Sequence, residues 1–259
     1  MSPELLLLTS LIIAIQVAMP IGTYLLFNGR HDEKTRLWLL SMSIISLSTI
    51  LVAVRPIIPY YLAHELPWLM HTTGFLLMVE AIRRESRAPT PWCVYGVLLV
   101  FFATIWNVLH ILGYSQPWGL ALYSSFVSVI CSILWWMLHK LRRQSSGKSL
   151  LLLEIGVVLY GLPSLLRVLG FLYLGTPDVM NVYKFSVFTN LLVFSFVLAV
   201  LFIALGYWGF TLEKSERERS LAEAGEDRAT QEADRFRQLV EERDRLLVMN
   251  SRFSTVSAL

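Results

Sequence analysis

The sequence predicts an all-α membrane protein, a bundle of seven transmembrane helices followed by a charged helical tail. Three observations predict it. Of 259 residues, 55% are hydrophobic and only 16% charged, too apolar for a soluble domain of this length. Apolar runs long enough to cross a hydrocarbon core about 30 Å thick, which takes about 20 helical residues, recur seven times. Charge is also segregated. Residues 1–210 carry 13 of the 22 Lys+Arg and 8 of the 19 Asp+Glu, leaving 9 and 11 for residues 211–259.

The predicted spans run from Glu4 to Phe27, Leu37 to Val54, Leu66 to Ile82, Trp92 to Tyr114, Trp118 to His139, Leu150 to Leu174 and Phe185 to Phe210. The first reads as a retained span. It has no basic segment before it, is too long for a signal-peptide core and leads into Asn28-Gly29-Arg30 instead of a small-residue cleavage site. Direction follows from loop charge. Arg30, Lys34, Arg36, Arg83, Arg84, Arg87, Lys140, Arg142, Arg143 and Lys148 fall in the odd loops, against Arg55 and Lys184 in the even ones. Ten against two places the odd loops in the cytoplasm, the N-terminus outside and the tail inside. Trp38, Trp68, Trp92, Trp118 and Trp208, near span ends, fit interfacial aromatic belts.

Composition excludes several classes. The net charge of +3 sits in short clusters between apolar runs, which topology explains without a nucleic-acid partner. Cys93 and Cys131 fall inside apolar segments, so neither a disulfide framework nor a cysteine metal site is expected, and no cofactor is predicted. No zinc-protease, nucleophile-elbow or acidic metal motif is present. The middle of the seventh span has no Lys for a retinal Schiff base.

The tail, residues 211–259, is rich in Glu, Arg, Ala and Leu and free of proline, which favours helix. Leu239, Leu246 and Phe253 recur every seven residues beside Phe236, Val240 and Leu247, an apolar seam of coiled-coil type interrupted upstream by Gly225. Paired in parallel, two such seams make a homodimer.

The stretch Phe236 to Leu259, FRQLVEERDRLLVMNSRFSTVSAL, resembles the lead-in to the dimerisation and histidine-phosphotransfer helix of bacterial sensor histidine kinases with multi-pass membrane input domains. The resemblance implies a sensor domain over 1–210 and a signalling helix over 211–259. It also implies a two-component system in a bacterial inner membrane, with a response regulator reached through a kinase domain. One departure matters. His31, His64, His71, His110 and His139 are the only histidines, none lies in the tail, and no ATP-binding motif follows. The chain as it stands would be the input half of such a kinase.

Ionisable groups at membrane depth are costly and mark candidate sites. Arg167 in the sixth span is the clearest, a permanent cation suited to a carboxylate or phosphate. Arg55, Glu65, His71, Asn107, His110 and Asn190 are its expected companions, with His64 nearby. Trp106, Phe101, Phe102, Trp135 and Trp136 are expected to wall a ligand pocket. Internal pairing of Arg167 with Glu65 is the competing expectation. Glu80 and Glu154 are expected to form structural ion pairs, Glu80 with Arg83 at the i,i+3 spacing. Pro20, Pro56, Pro59 and Pro163 are candidate kinks, with Gly161 to Pro163 a candidate hinge. The alternative to a receptor is a small transporter or channel subunit that uses its tail only to oligomerise. It should work without residues 211–259, whereas a receptor should not.

Overall fold

The computed structural model describes residues 3–27, 32–54, 58–85, 92–113, 116–145, 147–174 and 187–256. They form seven α-helices and no strand: α1 (Pro3–Leu26), α2 (Glu33–Ala53), α3 (Tyr60–Glu85), α4 (Trp92–Ile111), α5 (Gln116–Ser145), α6 (Ser149–Leu174) and α7 (Val187–Val256). Each overlaps one predicted apolar run, and α7 continues past Phe210 into the tail. Four helical stretches, Glu33–Ala53, Trp118–Gln144, Ser149–Tyr173 and Phe194–Arg245, are long and apolar enough to cross a membrane, and Ser10–Leu26 and Cys93–Leu109 are shorter apolar helices. α3 is absent from both groups. Its 26 residues include His64, Glu65, His71, Glu80, Arg83, Arg84 and Glu85, which lower its mean hydropathy.

Contacts divide the chain into two units, Met1–Phe210 and Thr211–Leu259. In the first, α3 is the hub, packing on α2, α4 and α5, while α1 packs on α2 and α5 on α6. Phe75, Met78 and Ile82 from α3 meet Val127, Leu134 and Leu138 from α5 and Leu150 and Leu153 from α6 in one core. The opposite faces are apolar but exposed. Along α4, Val97, Val100 and Ile111 stand open to the surroundings. Water would penalise a surface of this kind, and lipid would not.

Local sequence sets the boundaries. α2 starts four residues before its predicted span because the Asp32 side chain accepts from the Thr35 backbone N–H at 2.8 Å, capping the first turn. α3 starts at Tyr60, not Leu66, and carries Pro67 inside it. α6 runs helical through Pro163, and Gly161 between predicted hinge residues serves packing: a Cβ there would lie 2.7 Å from that of Cys131 on α5.

α6 and α7 meet backbone to backbone. A Cβ on Gly156 would lie 2.7 Å from the backbone N of Ile203, one on Gly206 would lie 2.5 Å from that of Leu153, and one on Gly209 would strike Ser149. The pairs descend in antiparallel order, so glycine here is a condition of the close approach. α7 is further fixed by Tyr207, stacked on Trp38 of α2 with centroids 3.8 Å apart and planes 5° from parallel. Trp208 Nε1 donates to Thr23 Oγ1 of α1 at 2.8 Å.

The second unit is helical throughout its described part, through Gly225 as well. From 215 to 245 its side chains are exposed, Phe236 (70%) and Leu239 (63%) among them.

Candidate functional site

A buried polar chain runs through the apolar core of the first unit. It starts at Ser48 on α2, whose hydroxyl donates to the Pro67 carbonyl at 2.7 Å. The same oxygen lies 3.2 Å from His71 Nδ1. A serine has one proton to give, and Pro67 has it, so His71 donates through Nδ1–H and Ser48 accepts. That fixes the neutral tautomer by network logic. His71 Nε2, 2.7 Å from the Tyr160 oxygen, is then the acceptor, and Tyr160 on α6 donates. Tyr123 on α5 packs its ring edge-on against His71, with centroids 5.8 Å apart. Ser48, His71, Tyr123 and Tyr160 are all buried.

Each member is placed by its helix. Ser48 lies on the same face of α2 as the buried Ser41 and Ile45, at i,i+7 and i,i+3. His71 and Phe75 are i,i+4 on the inner face of α3, their rings 5.3 Å apart. Tyr160 packs edge-on against Phe75 at 4.9 Å. Two turns further along α6, Arg167 shares the Tyr160 face at i,i+7 and lies in the electrostatic neighbourhood of Tyr160 and Tyr123. Its Nε is buried and has no hydrogen-bond partner among the described residues, as is true of Thr72 Oγ1 on α3 and Ser124 Oγ on α5.

Of the residues expected around Arg167, the structure brings His71 into this chain and leaves others out. No ion pair joins Arg167 to Glu65 among the described residues, so internal pairing of those two is not observed. Asn107 is exposed and donates to its own Ala103 carbonyl at 2.8 Å. It shares the open α4 face with Val97, Val100 and Thr104, which is why it misses the interior. Trp106 is half-buried and tilted against Trp68 at 6.2 Å and Phe102 at 6.1 Å. Phe102 is buried, but Phe101, Trp135 and Trp136 face outward and wall no interior pocket. Arg55 and the side chains of His64, His110 and Asn190 lie outside the described residues.

Sequence reading missed Ser48, Tyr123 and Tyr160. Neutral hydroxyls inside apolar runs carry no signal in charge or spacing. Gln16 on α1 was missed too. It is 3% exposed, with both amide atoms unpartnered among the described residues, and it lines a cavity of about 20 Å³ beside Ser46 and Tyr160.

A second polar cluster is ionic. Glu80 on α3, fully buried, accepts from Arg83 Nη2 at 2.8 Å, from Arg84 Nε at 2.7 Å and from the Tyr95 hydroxyl of α4 at 3.2 Å. Arg84 also pairs with Glu33 of α2, and Lys34 reaches Glu85 at 3.0 Å. The hydrogen bond to Glu80, then that to Glu33, pushes the Arg84 guanidinium above its ordinary value. On the other hairpin Glu154 of α6 accepts from Arg142 Nε of α5 at 2.8 Å, with His139 at 3.8 Å. These acids therefore tie helices together. Both nitrogens of His71 are already engaged, and among the described residues no three His, Cys, Asp or Glu gather as a metal site. Cys93 is exposed and Cys131 buried, both free thiols.

In comparison with known proteins, no family model, curated protein or solved structure matches the chain.

Proposed function

We propose that the chain is a seven-span membrane receptor, N-terminus outside, whose bundle controls a dimeric cytoplasmic helix and through it a histidine kinase of a two-component system. The observation that carries this reading is the buried chain from Ser48 through His71 to Tyr160. Its hydrogen bonds link α2, α3 and α6, and the Tyr123 ring of α5 packs against His71. Buried polar groups are expensive unless fully satisfied, and such a network has a small number of satisfied arrangements. A bundle with two of them would have the states that a stimulus needs in order to act. The stimulus end is Arg167, with Trp106 and the neighbouring polar groups. The output is the tail seam of Phe236, Leu239, Val240, Leu246, Leu247 and Phe253, whose first three side chains are exposed as a dimer face requires and whose last three lie outside the described residues.

Disulfide cross-linking in membranes tests it. In a chain with Cys93→Ser and Cys131→Ser, Leu239→Cys should form a cross-linked dimer, and adding Tyr160→Phe should redistribute cross-linking between Leu239→Cys and Arg243→Cys. Absence of any cross-link would remove the dimer. Cross-linking indifferent to Tyr160→Phe would remove the coupling.

A further inference from the structure

The geometry points to a binding site for one anionic phospholipid on the α5–α6 hairpin, with acyl chains against α5 and the phosphate at Lys140, Arg143 and Lys148. This rests on the chain crossing a membrane and is independent of any signalling role.

Val129, Ile133, Trp136 and Lys140 follow one another at steps of four, three and four residues, so they share one face of α5, and Arg143 extends it by another three. That face is open: Val129 is 59% exposed and Trp136 61%. Apolar for about two turns from Val129 to Trp136, it then turns basic. Lys140 Nζ lies over the Trp136 ring, 5.8 Å from its centroid. An indole with a cation above it, at the end of an apolar stripe, matches the layering of a bilayer, where aromatic rings sit at headgroup level and long basic side chains reach the phosphates. α5 has 30 residues, hence a length of about 45 Å, so its last turns stand beyond a hydrocarbon core about 30 Å thick.

Charge compensation singles out this end of the molecule. Lys34, Arg83 and Arg84 at the α2–α3 end each have an acid partner. α5 has no Asp or Glu, and the one acid of α6, Glu154, accepts from Arg142. Lys140, Arg143 and Lys148 are exposed and have no acid partner among the described residues. Lys140 and Arg143 at the end of the stripe and Lys148 just before α6, one of the three a guanidinium able to take two phosphate oxygens, fit a phosphodiester headgroup with its tails attached.

Native mass spectrometry of the full chain in detergent, titrated with phosphatidylglycerol or phosphatidylcholine, tests the site. Wild type should retain the anionic lipid roughly tenfold over the zwitterionic one, since each base near a lipid phosphate contributes appreciably. Lys140→Gln with Arg143→Gln and Lys148→Gln should abolish the preference, and Lys140→Arg with Arg143→Lys and Lys148→Arg should keep it. If the triple glutamine variant fails to fold, Arg143→Gln alone, at an exposed position, should still weaken it. Equal retention of both lipids by wild type overturns the proposal, as does a preference untouched by the glutamine substitutions. Displacement of the lipid by equimolar glycerol phosphate would also overturn it, by showing that the acyl stripe plays no part.

Discussion

Tyr160 of α6 donates a hydrogen bond to Nε2 of His71 on α3 across 2.7 Å, with both side chains buried in the core. Removing the hydroxyl therefore orphans a buried acceptor. Tyr160→Phe should cost about 1–3 kcal/mol, the penalty of an unsatisfied buried group. Tyr123→Phe touches neither nitrogen of His71 and should cost less, about 0.5–1.5 kcal/mol. Thermal unfolding in detergent, followed by circular dichroism, ranks the two. A larger loss for Tyr123→Phe would mean that the Tyr160–His71 bond is not the costlier one to break.

Glu80 should be harder to replace than its position at a helix end suggests. Glu80→Gln removes the buried carboxylate that accepts from both Arg83 and Arg84, and breaking a buried pair from one side costs about 3–5 kcal/mol. Glu80→Leu combined with Arg83→Leu should be milder than Glu80→Gln alone. The same unfolding assay decides this, and the opposite order would mean that Glu80 acts through something other than its arginines.

The glycines divide cleanly by neighbour. Gly206→Val drives a side chain into the α6 backbone at Leu153 and should destabilise the bundle by at least the 1–3 kcal/mol typical of overpacking. Gly96, on the exposed side of α4, has nothing within 4 Å of a built Cβ. Gly96→Ala should be neutral or gain up to about 1 kcal/mol from helix propensity. Comparable losses at both sites would contradict the α6–α7 contact.

The tail separates receptor from transporter. Leu239→Asp with Leu246→Asp places carboxylates on the proposed seam and should abolish dimer cross-linking in membranes. Deleting residues 211–259 should abolish signalling output. Substrate flux that survives the deletion in vesicles would favour the transporter.

Much of this architecture could be read from the amino acids. Seven apolar runs correspond to seven helices, within which four stretches are long and apolar enough to cross a membrane. The predicted third span begins six residues into α3, at Leu66, because His64 and Glu65 dilute the hydropathy ahead of it, while Pro67 lies inside span and helix alike. The Asp32 cap was legible as Asp followed three residues later by Thr35, a pattern that hydropathy alone passes over. Facing was the harder problem. Arg167 and His71 are conspicuous by chemistry, whereas Tyr160, Tyr123 and Ser48 become functional candidates only once packing brings four helices together. Asn107 shows the converse, a polar residue whose angular position on α4 and bond to Ala103 remove it from the interior.

At Gly156 and Gly206 main chain approaches main chain, with Ile203 Cγ1 and Leu153 Cβ as the nearest side-chain atoms. A contact of that kind has less room to absorb a displacement by rotamer change than a leucine-lined interface. A shift of the α6 stretch next to Tyr160 is therefore expected to reach α7 at Ile203 chiefly as movement of the helix itself.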